Sequence, residues 1–296
     1  MLRIHEAFCI LFAMSLFSYL TAHSKYGIRR GEVVIDIGSG NSPILRADVL
    51  VEKYIDTDAE RYSGLVIDRP MICADGESLP FRDKSIDFLY CSHLLEHIPR
   101  PEAFLDEIQR VARRGVIITP HGDYEKIDPR RVHLWNVTAK DGKLRLVQKK
   151  CWNEYEDIRR YFYGLTLIGD YWKFYDRHIE AFSTVYPFEG KIEYEVERYG
   201  EFDYSRFGMA FSNEDRVRLS IDVRQMAKKI VSRVCRLIIS GNDSRCLSRI
   251  LACPMCRADL ASPVKNAPSV ACSSCGAVFP VRAGIPILLK ADTTLV

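Results

Sequence analysis

Between Gly31 and Pro120 the chain alternates short β-branched runs with stretches of helical pattern, and four successive runs end in polar residues suited to ligand binding. The runs predict strands at Glu32–Ile37, Asp48–Glu52, Met71–Ala74, Ser85–Tyr90 and Gly115–Thr119, with an amphipathic helix at Pro101–Ala112 carrying Phe104, Leu105, Ile108 and Val111 on one face. That rhythm belongs to βαβ units, so the expected fold is α/β: a Rossmann-like, mostly parallel sheet flanked by helices. The first run, Val33-Val-Ile-Asp36-Ile-Gly38-Ser-Gly40, brings an acidic residue and a Gly-x-Gly loop to the carboxyl end of a strand, where a backbone without Cβ can approach a ligand closely. Pro43 stands where a dinucleotide site has its third glycine, and no Lys-Ser/Thr follows to cradle phosphates. The later runs lead to Glu52, to Asp75-Gly76, and to Cys91-Ser92-His93.

Composition bounds the rest. With 296 residues, 47% of them hydrophobic, the chain has apolar material for one full domain and a small second one, which excludes a disordered or collagen-like polymer. A formal charge of +3 argues against an extended nucleic-acid-coating surface but leaves a local basic patch open.

The C-terminal part carries Cys253-Pro-Met-Cys256 and Cys272-Ser-Ser-Cys275. Two such pairs at this spacing can place four thiolates tetrahedrally around one structural Zn²⁺, with no coordination position left for chemistry. Disulfides or a redox CxxC are the alternative. The uncharged stretch from Ala7 to Leu20 is short for a membrane span, and three readings stay open: a packed helix, a membrane-surface anchor, or a cleaved leader. From 121 to 210 the pattern is mixed and aromatic-rich, with strand-like pieces at Lys143–Val147 and Lys191–Val196, read as the rest of the sheet plus a cap. A long helical pattern runs from Asn213 to Gly241, and its Arg224, Lys228 and Arg236 face solvent, an acidic membrane surface or RNA. The expected organisation is an apolar segment at 1–27, a catalytic domain at 28–210, a helix and linker at 211–245, and a zinc ribbon at 246–296.

Three stretches, Asp36-Ile-Gly-Ser-Gly40, Ala74-Asp75-Gly-Glu-Ser-Leu-Pro-Phe81 and Ser92-His93-Leu-Leu-Glu96-His97, together resemble the class I S-adenosylmethionine-dependent methyltransferases. The resemblance implies that Asp36, Gly38 and Gly40 attend the methionine part of the cofactor and that Asp75, with Gly76 close by, receives the adenine amine. Ser92 follows the fourth strand and is placed beside the same site. An acidic residue at the end of the second strand binds the ribose in that family; Glu52 matches, with Asp56 the alternative. Residues 249–290 are similar to the small zinc-ribbon activator proteins that bind and stabilise methyltransferases, through Leu251–Cys256, Cys272–Gly276 and Gly284–Leu289. That implies a contact between ribbon and catalytic domain within one chain.

Methyl transfer from a sulfonium needs an oriented, dry pocket, and a base only where the acceptor must lose a proton. His93 is the first choice for that base, with His97, His121, Tyr124 and His133 also placed near an acceptor. The methyl acceptor stays open among small molecules, glycans and lipid-linked intermediates. Two other classes compete: a non-catalytic scaffold that binds RNA or protein, and a zinc metalloprotease reading of His93-Leu-Leu-Glu96-His97, which Ile98-Pro99-Arg-Pro101 disfavours by ending a helix at once. With four cysteines assigned to zinc and Cys73 and Cys91 expected in buried strands, cysteine usage points to a reducing, cytoplasmic setting, with membrane association through residues 7–20 as the alternative.

Overall fold

The computed structural model describes residues 25–56, 64–166, 171, 174–175, 177–207, 246–260 and 267–290. The apolar stretch 7–20 and the helical pattern at 213–241 lie outside the described residues. Among the described residues, no helix is long and apolar enough to cross a membrane.

Strands β1 (Val34–Ile37), β2 (Val49–Glu52) and β3 (Met71–Cys73) are buried along their whole length, as apolar runs sandwiched by packing on both faces must be. With β4 (Ile86–Ser92), β5 (Ala112–Pro120) and β8 (Ser183–Glu189) they form one six-stranded sheet in the order β3-β2-β1-β4-β5-β8. The first five run parallel, and β8 pairs antiparallel with β5 through Arg114↔Glu189 to Pro120↔Ser183. The chain builds outward from β1 to β3, then returns to β4 on the other side of β1. A crevice at that reversal, outside the carboxyl ends, is where such sheets bind ligands.

One face of the sheet is covered by helix α1 (Pro101–Val111), which starts on Pro101 and buries Phe104, Leu105, Ile108 and Val111. On the other face, Ile28, Ile44, Ala47, Leu50, Met71, Phe88, Val116, Ile118 and Ile285 form a second apolar layer. The β1–β2 crossover is irregular rather than helical, so its carbonyls need other partners. Buried Arg69 supplies them, its Nη1 donating to the carbonyls of Ile44, Leu45 and Ala47 at 2.8–3.0 Å, while buried Arg46, within the crossover, reaches back to the Glu32 carbonyl ahead of β1 at 2.6 Å.

Beyond β5 come the short helix α2 (Tyr124–Ile127), the hairpin β6 (Trp135–Lys140) and β7 (Lys143–Gln148), helix α3 (Glu156–Thr166), helix α4 (Ile179–Phe182), and β9 (Glu193–Glu197). The two-residue hairpin loop is Asp141-Gly142, both at positive φ, as a turn matched to strand twist requires. The order β6-β7-β9 makes a second sheet.

Helix α5 (Cys246–Ile250) leads into a three-stranded sheet, β10 (Ser269–Ala271), β11 (Val278–Arg282) and β12 (Ile285–Pro286). This module closes the β3 side of the main sheet by backbone hydrogen bonds. Leu288 N donates to the Cys73 carbonyl at 2.8 Å, Ala252 N to Pro80 at 2.9 Å, and Arg82 N to Ile250 at 2.8 Å. Leu251, Leu260, Phe279 and Leu288 join Leu79 and Phe81 in a common core, so an edge that could have paired with another chain is sealed from within.

Candidate functional site

The carboxyl ends of β1, β2 and β3 carry three carboxylates tied into backbone. Asp36, 2% exposed, accepts from Ile44 N at 2.7 Å and so fixes the fold of the loop that follows β1. Burial pushes its pKa up to about 7, against the pull of that hydrogen bond and of the Arg69 charge. Glu52 at the end of β2 accepts from the Ser39 hydroxyl at 3.2 Å and from the Gly40 amide. Asp75 follows β3, accepts from Glu77 N at 3.0 Å, and pairs with Lys53 at 3.0 Å. Between them runs the glycine loop. Gly38 adopts φ +70°, and a Cβ there would stand 3.0 Å from Leu94, so only glycine lets this loop and the segment after β4 meet. Asp56, the alternative to Glu52, turns outward to Arg282 of the C-terminal module at 3.2 Å.

Gly76 has a packing role of its own. A Cβ at this position would stand 2.6 Å from the Phe104 ring, so its missing side chain makes room for α1 as well as for any ligand.

The carboxyl end of β4 has a different chemistry. Ser92 ends the strand and His93 follows at φ +55°, its side chain half exposed. Leu95–His97 forms a single 3-10 turn, not the α-helix that would present His93 and His97 to one metal ion as the protease reading requires. His97 instead packs edge-on against the ring of His133, 4.7 Å between centroids, and Leu134 N donates to the Glu96 carbonyl at 2.8 Å. His133 Nδ1 lies 2.6 Å from Glu125, and Lys149 Nζ lies 3.1 Å from the other Glu125 oxygen. Glu96, Glu125, His133 and Lys149 are all at most 5% exposed.

Burial and its neighbours split the titrations of this cluster. Burial, aided by the His133 charge, pushes His97 down to about 4. Burial alone would raise Glu125, but His133 and Lys149 overcome it and hold the carboxyl at about 2. Burial likewise opposes the shifts at His93 and Glu96, yet their mutual attraction wins, raising the histidine and lowering the acid.

His121 lies elsewhere. With Lys25, Ala139, Ser183, Thr184 and Val185 it lines a cleft of about 380 Å³, and its Nδ1 accepts from Asp123 N at 3.2 Å. The structure therefore brings His93 and His97 around Glu96 and leaves His121 on another wall. Glu125 and Lys149 were not legible as members of the cluster; no short spacing links them to Glu96, and their burial is decided by β6 and β7.

In the C-terminal module the four cysteines are free thiols with Sγ atoms of Cys253 and Cys275 3.7 Å apart and those of Cys256 and Cys272 3.6 Å apart. A disulfide requires about 2.05 Å. Zn–S bonds of about 2.3 Å put tetrahedral sulfurs about 3.8 Å apart, so the spacing fits one Zn²⁺.

Residues 35–119 match a family described as "Methyltransferase domain". No curated protein matches the chain. Among solved structures, a complex between the Haloferax volcanii Trm112 methyltransferase activator and a putative methyltransferase is 18% identical, covering 36% of this chain and 55% of that one, with a TM-score of 0.29. A putative methyltransferase from an antibiotic biosynthesis pathway of Anabaena variabilis is 21% identical over 36% of this chain and 47% of its own, with a TM-score of 0.31. A SAM-dependent methyltransferase from Aquifex aeolicus is 17% identical over 35% and 64%, with a TM-score of 0.28. The chain spans about half the length of the solved structures it matches.

Proposed function

We propose that the chain is a class I S-adenosylmethionine-dependent methyltransferase with its cofactor across the carboxyl ends of β1 to β4. The observation that carries this reading is a coincidence of place. The segment that matches the methyltransferase domain, 35–119, is the segment whose parallel strands bring Gly38, Gly40, Glu52, Asp75 and Ser92 to one edge at the reversal of strand order. The residues fit the group: a glycine loop free of side chains, flanked by carboxylates that can accept from an ammonium, a ribose diol and an adenine amine.

When bound, the cofactor supplies an electrophilic methyl on a sulfonium. Asp36 then takes the α-ammonium, Glu52 exchanges the Gly40 amide for the ribose hydroxyls, and Asp75 accepts from the adenine amine, with Gly76 leaving the approach clear. His93, half exposed beside Ser92 and with its basicity raised by Glu96, is placed to take a proton from an acceptor. His97 is partly buried, with its pKa pushed down to about 4, and acts as a positioning residue; His121 faces the separate cleft. Cys253, Cys256, Cys272 and Cys275 hold one Zn²⁺ that stabilises the module closing the β3 edge. The acceptor is a small molecule, a glycan or a lipid-linked intermediate, in a reducing, cytoplasmic setting.

Isothermal titration of zinc-loaded, full-length protein with S-adenosylmethionine tests the reading. Binding is expected, weakened about tenfold or more, equivalent to about 1.4 kcal/mol, by Glu52→Ala and by Asp75→Ala. Absence of heat with folded wild-type protein, or unchanged affinity in both variants, overturns it.

A further inference from the structure

The cluster at the end of β4 contains polar atoms that its own protons do not satisfy. Glu96 is 1% exposed, and among the described residues neither carboxylate oxygen has a hydrogen-bond partner of ordinary geometry; His93 Nδ1 and His133 Nε2 face Oε1 at 3.4 and 3.9 Å. A buried carboxylate left so costs far more than a paired one. His97 Nδ1 is also buried without a partner among the described residues.

His133 sharpens the problem. Its Nδ1, 2.6 Å from Glu125, carries the proton shared with that carboxylate, so in the neutral ring Nε2 presents a lone pair. That Nε2 sits 3.9 Å from Glu96 Oε1. With His133 neutral, a carboxylate oxygen and an imidazole lone pair face each other across a gap that a cation can bridge.

We propose that Glu96, His97 and His133 form a second metal site, taking a divalent ion of the Zn²⁺ class. One ligand atom from each lies within 4.8 Å of the others. Zinc with bonds of about 2.0–2.2 Å to nitrogen and oxygen sets its donors about 3.4 Å apart, so closing the site brings any two donors together by about 1.4 Å at most. Two imidazoles and a carboxylate suit a borderline transition ion better than Ca²⁺ or Mg²⁺. The support behind the ligands is already built: His133 is oriented by Glu125, and Glu125 by Lys149, the carboxylate–histidine arrangement that fixes a metal-binding tautomer. The ion would tie the 3-10 turn after β4 to the strand entering β6.

The site stands or falls independently of the methyltransferase reading, because its test counts metal. The full chain, equilibrated with Zn²⁺ and freed of loose metal, is analysed for zinc per chain as wild type and as Cys256→Ser/Cys275→Ser, each with and without Glu96→Gln. Two zinc ions are expected in the wild type, one in the cysteine variant, and that one lost on adding Glu96→Gln. A single zinc in the wild type, as an imidazolium on His133 would give, overturns the proposal, as does a zinc in the cysteine variant that survives Glu96→Gln. Where a variant does not fold, Co²⁺ loading of the unmutated chain decides. A set of cobalt bands free of thiolate charge transfer, beside the thiolate set, supports the second site, and thiolate-bound cobalt alone rejects it.

Discussion

The two halves of the sheet's carboxyl edge use the same kind of side chain for opposite ends. Under β1 to β3 the carboxylates of Asp36, Glu52 and Asp75 accept from backbone amides at Ile44, Gly40 and Glu77, and so shape the loops in which they sit. Under β4 and β5 the carboxylates of Glu96 and Glu125 face His93, His133 and Lys149, partners that carry or change charge. A carboxylate spent on an amide makes a rigid cradle; one spent on an imidazole makes a place where protons or metal can be exchanged. One fold thus places a shape-determined binding surface next to a charge-determined one, with Gly38 and Leu94 in contact at the seam.

Breaking the charged half should cost most. Among the described residues, Lys149→Met leaves Glu125 with His133 alone as its interior charge partner, and loss of one member of a buried pair costs about 3–5 kcal/mol. Urea unfolding measures this, and a loss below about 1 kcal/mol would mean that Lys149 is not needed to balance the cluster. On the amide half, Gly76→Ala drives a methyl into the Phe104 ring and should cost about 1–3 kcal/mol through overpacking, without altering any titration. Full stability in that variant would show that α1 can yield. The third test is read in the pH dependence and not in a single stability value. Because the Asp36 pKa rises to about 7 on folding, the folded state holds a proton that the unfolded chain releases near pH 4. Its contribution to stability therefore falls as pH rises from about 4 to about 7 and is level above. Asp36→Asn keeps an oxygen for the Ile44 amide but removes this slope, so the variant should gain on the wild type steadily across that window. Parallel stability curves for the two proteins would show that Asp36 is ionised throughout.

How far each region could be read from sequence follows from how its residues are spaced. β1 to β5 and α1 were legible because apolar period and strand-end polarity are local, and the structure shifts their ends by only a few residues, most at β5, which begins at Ala112. β8 was not, because Ser183–Glu189 is buried on alternate positions by pairing with a strand more than sixty residues earlier. The irregular β1–β2 crossover escaped too, since nothing local marks Arg69 as the interior donor to its carbonyls.

The same rule separates the metal-capable clusters. Cys253, Cys256, Cys272 and Cys275 announce themselves, because two turns of four residues each dictate where their sulfurs point. The sequence by itself determined the α/β rhythm, the glycine loop, the strand-end carboxylates and the four-thiolate set, all properties of short stretches of backbone. Only the tertiary structure decided that His133 joins the histidines of the motif at Glu96, and that Glu125 and Lys149 lie behind them. The physical reason is that burial of a charged group is set by the elements packed around it, which no spacing along the chain records.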